Sequence, residues 1–180
     1  MQGKVALEEH YAIDETLQDS NGYLPPDTWD ELSARLLDIE SRRIDEMDEN
    51  GVEIMILSLN APAVQAIYDR KRANEIAKKS NDMLADWVER NPGRFRGFAA
   101  LPLQDVDMAC AEMERCVKEL GFVGALVNGF SQVDTSESAV YYDLPQYEPF
   151  WGLMAELNVP FYLHPRNPLP SMAQIYQGHP

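Results

Sequence analysis

Residues 52–59, Val52-Glu53-Ile54-Met55-Ile56-Leu57-Ser58-Leu59, lie between two long segments of helical periodicity. The run is almost unbroken in its hydrophobicity, which fits a strand covered on both faces better than one arm of a surface hairpin. On its N-terminal side, residues 28–49 set Trp29, Leu32, Leu36, Ile39 and Met47 near one helical face, and Gly51 is a natural stop. On its C-terminal side, residues 70–90 repeat Ala73, Ile76, Ala77, Leu84, Trp87 and Val88 at spacings of three and four, until Asn91-Pro92-Gly93 ends the pattern. A buried strand between two amphipathic helices is the unit of a parallel sheet.

The pattern repeats outward in both directions. Residues 4–9, 95–101, 122–128 and 159–164 read as four more short apolar strands. Residues 105–120 carry Ala109, Met113, Cys116, Val117 and Leu120 as a helical stripe, with Asp105 as N-cap and Gly121 past the end. Residues 147–157 predict a further helix, whose first turn tolerates Pro149. The order is β-α-β-α-β-α-β-α-β, so parallel strands and right-handed crossovers are expected. Two α/β architectures compete, a doubly wound open sheet and a (β/α) TIM barrel. No G-x-G-x-x-G follows the first strand and no Walker sequence occurs. Instead, long loops at 11–27 and 129–146 follow strands one and four, where barrel enzymes place their sites. The barrel is favoured, with residues 1–180 as a single domain. A closed barrel takes roughly 250 residues and at least about 200. The 180 residues are therefore expected to be its N-terminal part, ending after strand five.

Hydrophobic residues make up 45% of the chain and charged ones 25%, which suits a globular domain and excludes a low-complexity or disordered one. Fifteen basic residues against thirty acidic ones give a net charge of −15. No basic stripe is available to displace counterions from nucleic acid, so no nucleic-acid partner is expected. Cys110 and Cys116 share one helical stripe, which reads as core packing in a reducing, cytoplasmic setting. The apolar run Val5-Ala6-Leu7 is too short for a signal peptide, and no run is long enough to span a membrane.

Three histidines invite chemistry. His10 ends strand one, and the strand period of two puts Glu8 on its face and Glu9 opposite. His164 ends strand five at the same rim. Glu8, His10 and His164 form a mixed nitrogen and oxygen donor set suited to Zn²⁺ or Mn²⁺. Spacing alone leaves a second reading open, in which these are hydrogen-bonded structural polar residues at strand ends. The mutual distances of their side chains decide between the two.

The segments GKVALEEH, ILSLNAPAVQAI, GFAALPLQD, GFVGALVNGFSQ, YYDLPQYEPFW and VPFYLHPRNPLP resemble the nonoxidative, metal-dependent aromatic-acid decarboxylases of the amidohydrolase superfamily. The resemblance covers essentially the whole chain. It departs from the wider superfamily at strand one, where Glu-x-His stands in place of His-x-His. It implies that Glu8, His10 and His164 hold one divalent ion, with no organic cofactor. It also implies a small aromatic hydroxy acid as substrate, 2,6-dihydroxybenzoate giving resorcinol and CO₂ reversibly, and a homotetramer. Tyr23 falls where relatives place a pocket aromatic. Asn60, Asn128, Arg166 and Asn167 follow or end strands at the same rim, as pocket or loop-bracing residues, with Arg166 open to a second reading as the partner of a scaffold carboxylate. The Tyr141-Tyr142 pair reads as loop packing, and His179 as a bystander. No residue of the chain is assigned as catalytic acid, because the family's aspartate follows strand eight, beyond Pro180. The chain alone is accordingly expected to be inactive. Competing readings are another amidohydrolase-type hydrolase and a noncatalytic half-barrel.

Overall fold

A computed structural model describes residues 3–23, 25–176 and 178; at residues 22, 23, 26 and 176 it covers the backbone only. The central apolar run forms strand β2 over Val52–Leu59, the bounds its sequence predicts. It pairs in parallel with β1, Lys4–Tyr11, on one side and with β3, Phe95–Ala99, on the other. Strands β4, Gly124–Asn128, and β5, Phe161–His164, continue the sheet in the same sense. The strand order is β1-β2-β3-β4-β5. A doubly wound sheet reverses its order at a switch point, and this sheet has no reversal. Every strand adds on the same side of its predecessor, the winding of a (β/α) barrel. The sheet curls into a half-barrel, so that β1 and β5 face each other across its concave side: Tyr162 Oη lies 2.6 Å from Glu8 Oε2.

Two helices start at an aspartate whose side chain satisfies a free backbone N–H group. In α3, Arg70–Arg90, Asp69 accepts from Arg72 N at 2.7 Å. In α4, Val106–Lys118, the expected cap Asp105 accepts from Met108 N at 3.0 Å. Helix α5, Glu148–Leu157, carries Pro149 in its first turn, and α6 is a single turn, Pro170–Ala173.

The expected helix over 28–49 is two helices, α1 (Pro26–Leu37) and α2 (Arg42–Asn50). Asp38 turns extended, and its carboxylate accepts from Ser41 N at 3.0 Å, Ser41 Oγ at 2.7 Å and Arg42 N at 3.1 Å. A local cap thus outcompetes continuation of the helix. The periodicity misled because Ile39, in the break, is buried together with Leu36 and Met47. Three strands are also shorter than expected. The run 95–101 leaves the ladder after Ala99 because Ala100 N donates to Asn81 Oδ1 instead, at 2.9 Å. The runs 122–128 and 159–164 begin pairing only at Gly124 and Phe161.

The core lies between the sheet and helices α3 to α5. Leu57, Phe95 and Ala99 of the strands meet Ile76 and Leu84 of α3, Met113 of α4 and Phe150 of α5. Coverage on both faces holds for the middle strands and fails at the ends. Val5 and Leu7 of β1 are 53% and 48% exposed, and Leu163 of β5 is 58% exposed. Among the described residues, no helix is long and apolar enough to cross a membrane.

The loop over 11–27 contains a 3₁₀ helix, Leu17–Tyr23, and its last residues open α1. The loop after β4 folds back through paired Ser131 and Val140. Tyr142 is buried there with its hydroxyl 3.1 Å from Ser131 Oγ, and Tyr141 packs on Phe130, so both tyrosines serve packing.

Candidate metal centre

Strand alternation places Glu8 and His10 on one face of β1, and Tyr162 and His164 on one face of β5. Because the half-barrel turns these two faces toward each other, residues 154 positions apart come into contact. His10 Nε2 and His164 Nε2 are 3.3 Å apart, with the rings edge to face at 4.9 Å. His164 Nε2 lies 3.2 Å from Glu8 Oε1. One donor atom from each of Glu8, His10 and His164 falls within 4.8 Å of the other two.

These distances test whether one ion fits. Nitrogen and oxygen donors about 2.1 Å from an ion stand roughly 3.0 Å apart at right angles and roughly 3.4 Å apart at the tetrahedral angle. Both distances from His164 Nε2, 3.3 and 3.2 Å, lie inside that interval, and the Glu8–His10 pair is within 4.8 Å. The donor chemistry agrees, since two imidazoles and a carboxylate suit Zn²⁺ or Mn²⁺. The residues present fit a divalent ion.

Neighbouring groups orient the donors. Ser58, paired with His10 across β1 and β2, puts its Oγ 3.1 Å from His10 Nδ1, which leaves Nε2 facing His164. Arg43 of α2 donates from Nη2 to the His10 carbonyl oxygen at 2.7 Å and sits 3.9 Å from Glu9. Burial, and then the charge of His164, hold the His10 imidazole below its ordinary pKa and so favour its neutral, donor-capable form. The hydroxyl of Tyr162 is the main cause holding the Glu8 carboxyl below the usual carboxylate range, and the same bond raises the Tyr162 phenol.

A cavity of about 730 Å³ adjoins the triad and is also lined by Ser20, Asn60, Arg166 and Asn167. Its size lies within the range of small-molecule pockets. Asn60 lines it but spends its amide on the first loop, donating to Thr16 O and Ser20 Oγ, each at 2.8 Å, and accepting from Thr16 Oγ1 at 2.7 Å. Asn128 is buried, its N–H donating to Gln65 Oε1 at 3.3 Å. Arg166 donates to Gln65 O, Phe130 O and Gln132 Oε1 at 3.1, 2.8 and 2.7 Å, and its guanidinium lies 4.3 Å over the Phe130 ring. All three bond to loop segments; Asn60, Arg166 and the exposed Asn167 line the cavity, and Asn128 is not among the lining residues. The Tyr23 side chain and His179 lie outside the described residues.

Three contributors escaped the sequence reading. Tyr162 carried a signal, since it stands two before His164 as Glu8 stands two before His10. Ser58 carried another, as a lone hydroxyl within an apolar run. Arg43, on a helix surface pattern, carried none.

A family model described as amidohydrolase matches residues 29–178. The chain belongs to the amidohydrolase family. This amidohydrolase is 66% identical over 180 residues to a gamma-resorcylate decarboxylase of Rhizobium radiobacter, covering 100% of the chain and 55% of the relative. It is 65% identical to the gamma-resorcylate decarboxylase of a Polaromonas species, covering 99% of the chain and 55% of that protein. A crystal structure of 2,6-dihydroxybenzoate decarboxylase complexed with 2,6-dihydroxybenzoate superposes with a TM-score of 0.98 at 64% identity, over 100% of this chain and 56% of that one. A dihydroxybenzoic acid decarboxylase from Polaromonas, with bound manganese and the inhibitor 2-nitroresorcinol, gives a TM-score of 0.96 at 65% identity, over 99% and 54%. The chain spans about half the length of the relatives it matches.

Proposed function

We propose that this amidohydrolase serves the nonoxidative decarboxylation of a dihydroxybenzoate, 2,6-dihydroxybenzoate to resorcinol and CO₂, in a reversible carbon–carbon lyase reaction. The observation that carries the proposal is the convergence of Glu8, His10 and His164 at the rim of an open cavity. The 64–66% identity to decarboxylases of that substrate supports the choice of reaction. Glu8, His10 and His164 would hold one divalent ion, manganese or zinc, which supplies positive charge toward an anionic aromatic acid in a chain of net charge −15.

The residues around the site position and exclude. Ser58 and Arg43 hold His10 in place from its ring and from its backbone. Asn60 ties the first loop over the cavity edge, and Arg166 fixes the loops after β2 and β4. Tyr23 and Asn167 are proposed to contact the substrate, with Asn60 and Arg166 shaping its walls and Asn128 bracing the loop after β2. In the reaction a proton adds to the carboxyl-bearing ring carbon. The carbon–carbon bond to the carboxylate then breaks, its electrons restore aromaticity, and CO₂ leaves. The proton donor is assigned to no residue of this chain. A cytoplasmic setting, supported by the free Cys110 and Cys116, and a homotetramer, supported by the resemblance, complete the proposal.

The test is a product assay on the full-length protein that carries this chain, loaded with Mn²⁺. Equimolar resorcinol and CO₂ from 2,6-dihydroxybenzoate, lost on Glu8→Gln, is the expected result. Hydrolysis of an amide or lactone without CO₂ release would replace decarboxylation by a hydrolase reaction.

A further inference from the structure

We infer that Tyr162 is a positioning residue for the metal centre, holding Glu8 Oε2 so that Oε1 alone faces the two histidines. This rests on the reading that Glu8, His10 and His164 hold a divalent ion. Glu8 is the loosely held member of that set: its side chain is 49% exposed, against 14% for His164. An exposed glutamate samples many rotamers, and binding an ion must fix one of them at an entropic cost. It can also present one oxygen or two to a cation.

The Tyr162 hydroxyl removes both freedoms. It donates to Oε2 at 2.6 Å, the length of a hydrogen bond to an ionised carboxylate. That leaves Oε1, at 3.2 Å from His164 Nε2, as the oxygen directed at the donor cluster. The strand register explains why the contact forms. Tyr162 stands one step below His164 on the same face of β5, as Glu8 stands one step below His10 on β1. The two strand faces therefore meet in two rungs, an upper one of His10 with His164 and a lower one of Glu8 with Tyr162. The Tyr162 ring rests near Phe98, with centroids 6.3 Å apart, a contact that does not involve the hydroxyl. A phenylalanine would keep that packing and lose only the hydrogen bond.

The experiment compares wild type, Tyr162→Phe and Glu8→Gln in the full-length protein. Mn²⁺ affinity is measured by calorimetry, thermal unfolding is followed in EDTA, and the carboxylate stretches of the Mn²⁺ form are read by infrared difference spectroscopy. Tyr162→Phe should weaken Mn²⁺ binding about 10- to 100-fold, as loss of a ligand-orienting partner does elsewhere. Its unfolding midpoint in EDTA should match wild type, and the splitting of the Glu8 stretches should narrow as the second oxygen becomes free to bind. Wild-type affinity together with an unchanged splitting would overturn the inference. So would a midpoint drop in EDTA large enough to account for the lost affinity, because Tyr162 would then act through packing. Glu8→Gln separates the two levels. If it binds Mn²⁺ like wild type, the metal-centre reading itself fails. If it loses binding while Tyr162→Phe does not, only the role of Tyr162 fails.

Discussion

Replacing Gly129 by alanine should loosen the join between β4 and β5, because that residue has neither the conformation nor the space for a side chain. Gly129 sits at φ +51, in the left-handed region. An L-residue there costs about 1–2 kcal/mol. An added Cβ would stand 2.5 Å from Arg166 Cγ, a contact that real structures do not sustain, and a tight 3.0 Å from Cδ. The backbone is held in place, since Gly129 N donates to His164 O at 2.8 Å. The Arg166 stem must therefore shift, and its guanidinium with it, away from Gln65 O, Phe130 O and Gln132 Oε1. Loss of even one hydrogen bond from a charged group costs about 1.5–3 kcal/mol. The expected total is about 2.5–5 kcal/mol. Urea unfolding of the full-length protein measures it, in a cycle with Arg166→Ala. In the Arg166→Ala background, Gly129→Ala should cost only the backbone part, about 1–2 kcal/mol. An equal loss in both backgrounds would refute the steric argument, and a loss below the backbone part would refute both halves of it.

Two further outcomes are expected from groups outside the metal centre. Asp38→Ala removes the cap that separates α1 from α2 and should cost about 1 kcal/mol at pH 7. The Ser41 hydroxyl is the main cause holding the Asp38 carboxyl below its usual range, so the folded pKa is the lower one. The cap's contribution is then complete above the unfolded value near about 3.9 and lost as pH falls through the folded value. The deficit of the variant should shrink on acidification below about pH 4 in pH-dependent urea titrations, and a constant deficit would contradict the assignment. Glu112→Ala should cost about 3–5 kcal/mol, because it strips a fully buried carboxylate from its partners. Glu112 accepts from Arg115 Nη2 and Nε at 2.7 and 2.9 Å and from Asn81 Nδ2 at 2.8 Å, which would all be left facing a void. A shift in urea midpoint worth less than about 1 kcal/mol would show that water replaces the carboxylate there.

Local features were legible where the physics is local. Helix α3 and strand β2 have the bounds their sequences predict, because Asp69 and Asn91 at the helix ends and the unbroken apolar run act over a few residues. The helix over 28–49 was misread for the opposite reason. Ile39 is buried by tertiary packing, so it mimics helical periodicity across a break made by Asp38. At the site, Glu8, His10 and His164 could be named because alternation sets which side chains share a face. That Asn60, Asn128 and Arg166 spend their polar groups on loops could not be read. Their partners, Thr16, Gln65, Phe130 and Gln132 among them, come from other loops whose paths no local rule dictates.

What the sequence determined by itself is the alternation of strand and helix, the cap at Asp105 and the face of each strand, since all three depend on neighbours a few positions away. Only the tertiary structure decided that the strands lie in the unreversed order β1-β2-β3-β4-β5 and curl until β1 faces β5. That curvature brings donors 154 residues apart to 3.3 Å and selects Tyr162 as a support, while the β1–β2 register supplies Ser58. The physical reason is that twist and closure belong to the whole sheet. They accumulate strand by strand from packing on the helices, and no single segment carries them.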